Sequence, residues 1–140
     1  MKTTITIISC IAGSFFLLFQ TVYAQPSDNQ SSGALKLQLG LMCEDMQDHS
    51  PENPCIVFSV ASGKVFCFTF FNPVPEKTYI FHTWFHEDKV VTKRKLLVEP
   101  PLWKTYSTIQ LREDDKGPWR VEITDQHDKA FKTLRFSVSD

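Results

Sequence analysis

From residue 35 onward the chain is written in a period of two. Leu35, Leu37, Leu39, Leu41 and Cys43 alternate with Lys36, Gln38, Gly40 and Met42, and an extended backbone gathers such an alternating set on one face. This predicts a first strand with its leucine row against a core. Further β-prone runs occupy 56–60, 65–71, 79–86, 89–98, 103–111, 119–124 and 130–138. They are separated by turn signals: Gly63, Asn72-Pro73-Val74-Pro75, Glu87-Asp88, Pro100-Pro101, the charged stretch 112–117 and the stretch 125–128. The runs 56–60 and 65–71 are expected to form one hairpin, and 79–86 and 89–98 a second. No window sustains a helical period of 3.6 residues. About seven to eight short strands with such spacing predict an all-β fold, an antiparallel β-sandwich of immunoglobulin-like packing over 33–140.

The front of the chain has a different character. Lys2 precedes a run that carries no charge before Asp28, and Val22-Tyr23-Ala24 offers small or modest residues where a signal peptidase looks. The stretch reads as a secretory signal peptide, 1–24, cleaved after Ala24, and it is short for a bilayer span of about 20 residues. Residues 25–32 are polar and aperiodic and read as a flexible leader. The mature chain is therefore expected in the periplasm or outside the cell, with no transmembrane segment.

Export bears on the cysteines. Cys10 falls in the signal, leaving Cys43, Cys55 and Cys67, an odd number where thiols tend to pair. A Cys43–Cys55 disulfide is expected, because it would close the polar, proline-containing segment between them, worth about 3 kcal/mol in the chain-entropy model. Cys67, in Val65-Phe66-Cys67-Phe68, then reads as a small buried hydrophobe. Pairing of Cys43 with Cys67 across two sheets is the alternative. The spacings contain no Cys-x-x-Cys knuckle, so neither a metal site nor a cofactor is called for.

Lysine and arginine number 15 against 16 aspartate and glutamate, a formal net charge of -1, which gives no electrostatic reason to expect nucleic acid. Lys93-Arg94-Lys95 is the one basic cluster and reads as the guard of an edge strand. There is no Gly-x-Ser-x-Gly elbow and no phosphate-cradling glycine loop, and the acidic pairs fall in predicted turns. His82, Trp84 and His86 share one strand face, but two imidazoles four residues apart on a strand lie about 13 Å apart, too far to chelate one ion.

The aromatic residues carry the remaining interest. The run 79–86 has apolar side chains on both alternations, Ile80 and Trp84 against Tyr79, Phe81 and Phe85, and an uncovered aromatic face is a binding surface. His82, Trp84, Trp103 and Tyr106 are accordingly the candidate ligand-contacting residues. They predict a non-enzymatic binding or interaction module of the cell envelope, with a glycan, peptide or protein as ligand. The alternative is a metal-handling or catalytic periplasmic protein using His82 or His86 with a cysteine.

His82-Thr83-Trp84, Trp103-Lys104-Thr105-Tyr106-Ser107, Gly117-Pro118-Trp119-Arg120-Val121 and the closing Phe136-Ser137-Val138 together resemble a bacterial family of domains of unknown function, DUF2914. The resemblance runs over roughly 35–138. Thr83 and Lys104 stand where that family usually carries arginine, and the neighbourhood of Lys129 where it has a turn glycine. The resemblance implies an extracytoplasmic β-domain and supplies no reaction.

Overall fold

The computed structural model describes residues 33–140; the signal peptide and leader read from the sequence lie outside the described residues. Nine strands are arranged in two sheets. In chain order they are β1 (Leu37–Gln47), β2 (Ser50–Pro54), β3 (Val57–Ser59), β4 (Lys64–Phe71), β5 (Thr78–His86), β6 (Lys89–Val98), β7 (Trp103–Gln110), β8 (Gly117–Asp125) and β9 (Ala130–Ser139). One sheet has the order β2-β1-β4-β7 and the other β3-β9-β8-β5-β6. The chain crosses between sheets from β2 to β3, β3 to β4, β4 to β5, β6 to β7 and β7 to β8, and the β9-β8-β5-β6 order is that of strands G, F, C and C′ in an immunoglobulin variable domain.

The fully buried Trp84 lies on β5, the strand C equivalent. Trp119, at the start of β8, donates its indole N–H to the Asp115 carbonyl at 2.7 Å. It pins the β7-to-β8 corner in the way a tyrosine hydroxyl does in immunoglobulin domains.

Local chemistry explains most of these elements. Glu87 and Asp88 both take positive φ, 47° and 63°, the left-handed geometry of a two-residue hairpin loop between β5 and β6. Around 125–129 the Asp125 carboxylate accepts the N–H groups of His127 and Lys129, at 2.8 and 2.9 Å, and Asp128 takes the left-handed position at φ 61°. An aspartate thus performs the turn task that the family resemblance assigns to glycine.

Four expectations change. The segment 44–54 is not a loop waiting for a disulfide. β1 continues to Gln47, turns at Asp48 and His49 (φ 47° and 61°) and returns as β2. The run 56–60 does not pair with β4; β3 lies parallel to β9 at the edge of the other sheet, because the Val60–Ser62 turn carries the chain across the sandwich. The leucine row does not stay on one face. A register shift between Leu37 and Leu39 sends Leu35 and Leu37 to the main core and leaves Leu39 and Leu41 outside, since a one-residue slip exchanges the two faces.

Fourth, the expected Cys43–Cys55 disulfide is absent, and Cys43, Cys55 and Cys67 are all free. Cys43 sits in the outer cluster of the four-stranded sheet, whereas Cys55 and Cys67 pack with the main core. Both weighed pairings would join side chains on opposite faces. Burial pushes the Cys43 thiol up to about 11, and its S–H lies 3.8 Å from the Met46 sulfur.

Candidate functional site

The inward row of β5 is Ile80, His82 and Trp84, each wholly enclosed. A buried imidazole between two sheets needs partners for both nitrogens, and a chain of hydrogen bonds supplies them. The Trp84 indole N–H donates to Ser107 Oγ at 3.0 Å. The Thr69 hydroxyl, on β4, donates to the Thr105 carbonyl at 3.3 Å, so its oxygen accepts from His82 Nε2–H, also 3.3 Å away. That leaves His82 Nδ1 as an acceptor, which the Ser107 hydroxyl serves at 2.8 Å. The hydrogen-bond network therefore selects the Nε2–H tautomer. Every donor is spent in one direction, from Trp84 through Ser107, His82 and Thr69 to a backbone carbonyl.

Desolvation lowers the His82 pKa to about 3, so the ring is neutral at physiological pH. A serine 2.8 Å from an imidazole has the spacing of a nucleophile and its base, but Ser107 and His82 are both buried and no carboxylate orients the ring. The arrangement ties the two sheets together.

His86 lies further along the same strand and donates Nε2–H to the Lys116 carbonyl at 2.9 Å. Its ring stacks on Trp119 at 4.5 Å, and Trp119 stacks on Phe136 at 5.9 Å. Among the described residues no group of three His, Cys, Asp or Glu side chains is placed to hold a metal ion. Trp103 is half-buried against the edge of the main core. Of the four candidate ligand-contacting residues, His82, Trp84 and Trp103 thus face inward and only Tyr106 faces out. They do not form one strip.

Tyr106 belongs to a surface missed by the expectations drawn from β5. β4 reads Lys64-Val65-Phe66-Cys67-Phe68-Thr69-Phe70-Phe71. Val65, Cys67 and Phe71 pack with the main core, while Phe66, Phe68 and Phe70 join a second apolar cluster with Leu41, Cys43 and Met46 on the outer face of the four-stranded sheet. Tyr106 meets Phe66 edge to face at 5.7 Å, and Leu39 is exposed on the same side. The signal was present in the sequence: an eight-residue strand apolar at nearly every position has two faces to cover. Lys64 lies 5.0 Å from the Phe66 ring and Lys104 5.8 Å from Phe70; among the described residues no cation lies over Tyr106, and while Phe66 and Phe68 are buried by their neighbours, Leu39 and Tyr106 stay exposed.

The outer face of the five-stranded sheet is finished differently. Lys95 lies over Tyr79 at 4.0 Å, Lys93 over Phe81 at 4.4 Å and the Arg120 guanidinium over Phe85 at 3.8 Å. β6 is an edge strand as expected, and two members of its basic cluster roof the aromatic row of β5 through cation–π contacts.

Among the described residues no helix is long and apolar enough to cross a membrane. No curated protein matches the chain. A family model described as "Protein of unknown function (DUF2914)" matches residues 77–138. The matched stretch holds all the aromatic landmarks and spans β5 to β9, with β1 to β4 outside it. Residues 77–138 are thus similar to the DUF2914 family of proteins of unknown function, and the resemblance read over 35–138 is matched in that part.

Proposed function

We propose that the chain is an exported, non-enzymatic binding module of the bacterial cell envelope that engages a glycan, peptide or protein through the outer face of its four-stranded sheet. The observation that carries this reading is the apolar cluster of Leu41, Phe66, Phe68 and Phe70 on a face that a free-standing sandwich ordinarily gives to polar residues. Leu39 and Tyr106 stand exposed beside it. Tyr106 offers a flat ring with a hydroxyl, suited to a sugar face or a peptide side chain. The basic Lys2, the uncharged apolar run after it and the small or modest residues before Gln25 support export. The metal-handling or catalytic alternative has no observation in its favour, since both nitrogens of His82 and one of His86 are engaged within the protein.

The test is retention of the purified chain on washed cell-envelope fractions. A Leu39→Ser, Tyr106→Ser double variant with an unchanged melting temperature is expected to lose retention at least about ten-fold, which corresponds to about 1.4 kcal/mol. Equal retention of the variant and the parent contradicts the proposal.

A further inference from the structure

β6 and β7 are edge strands of different sheets and lie side by side along one flank of the sandwich. Between them is a cleft of about 510 Å³ whose lining includes Thr92, Arg94, Gln110 and Arg112 above the apolar Ile109 and Trp119. We infer that this cleft is a binding site for an oxyanion group, carboxylate or phosphate, carried by a small ligand.

Register places the first arginine. Arg94 pairs with the enclosed His82 and shares its strand phase with Leu96 and Val98, which pack with the main core. A guanidinium therefore stands where the alternation asks for an apolar side chain. Its neighbours Lys93 and Lys95 point the other way, over Phe81 and Tyr79. Arg112 enters from the end of β7. Among the described residues neither Arg94 nor Arg112 takes part in a salt bridge, while Arg120 has carboxylates from Asp88 and Glu122.

The one carboxylate in the cleft lining, Asp115, accepts the Arg112 backbone N–H at 2.7 Å. The cleft is thus cationic by one charge, with two planar donor forks that match the geometry of an oxyanion. The Trp119 and Ile109 floor suits the carbon skeleton of such a ligand, and the volume falls in the usual range for small-molecule sites. This site lies on the flank and does not depend on the outer face proposed above.

Titration of the isotope-labelled full chain at low salt, followed by NMR, tests it with two probes, succinate and inorganic phosphate. Saturable shifts are expected at the amides of 92–94 and 108–112 and at the Trp119 indole, with whichever probe carries the fitting headgroup. The same titration of Arg94→Gln and Arg112→Gln is expected to show affinity weakened about five-fold or more. Both arginines are exposed, so the variants retain the fold, and a Lys129→Gln variant, away from the cleft, should titrate like the parent. Failure of both probes to saturate, or equal affinity in the arginine variants, overturns the inference and leaves Arg94 as a guard of the β6 edge.

Discussion

Tyr79 and Tyr106 are almost equally exposed, 40% and 43%, yet they stand on the opposite outer faces of the sandwich in different company. Tyr79 begins a row in which each ring has a cation 3.8 to 4.4 Å above it. Tyr106 joins Phe66, Phe68, Leu39 and Leu41, where the nearest cations stay 5.0 and 5.8 Å from the rings of Phe66 and Phe70. Cations cap the rings of one face; on the other, Phe66 and Phe68 are covered by their neighbours while Leu39 and Tyr106 stand open, and these two are where we propose that a partner docks. Exposure of an aromatic residue does not by itself mark a binding surface, and what lies over it decides.

That contrast presupposes that the interior, and neither face, carries the fold, so the first way to break it is through the interior. Trp84→Ala empties the centre of the core and is expected to cost about 3–5 kcal/mol in chemical denaturation. A loss under 1 kcal/mol would mean that the outer cluster is the true core. Ser107→Ala strips partners from both the Trp84 indole and His82 Nδ1 and is expected to cost about 1–3 kcal/mol.

Acid acts on the same network. The unfolded imidazole takes a proton near 6.5 and the folded one only at about 3, so between those values the unfolded chain binds more protons. The stability due to neutral His82 is complete above about pH 6.5 and falls by about 1.4 kcal/mol for each unit below it. Denaturation midpoints measured from pH 7 to 4 should show this slope in the parent and lack it in His82→Gln.

On the closed face, Lys95→Ala removes the cation over Tyr79 and should cost about 0.5–1 kcal/mol. The smallest effect belongs to the open face. Tyr106→Ser is expected to change the melting free energy by less than about 0.5 kcal/mol, because its ring is largely exposed and gives up only an edge contact with Phe66.

Much of the sandwich was legible because β5 to β9 combine alternating side chains with turn chemistry that depends only on neighbours in sequence. The β5–β6 hairpin, turning at Glu87 and Asp88, is the plainest case. What the sequence did not disclose is non-local. The shift between Leu37 and Leu39 arises from pairing with Phe70 and Phe71 of β4, and it alone moves Leu39 and Leu41 outside. β3 reads like half of a hairpin, yet it finds its partner in Ser137 to Ser139 at the far end of the chain.

For the candidate site, period two grouped His82 with Trp84 correctly, but could not say which side of β5 another sheet covers. Tyr106 and Trp103 lie three residues apart on one strand, and that odd spacing already placed them on opposite faces.

The most direct test of the account is site-specific photocrosslinking in cells that express the full chain, with a photoreactive phenylalanine analogue at position 106 or at position 79. The account predicts a discrete crosslinked envelope product from position 106 and none from position 79. Crosslinking from 79 alone, or equally from both, would contradict the assignment of the open face.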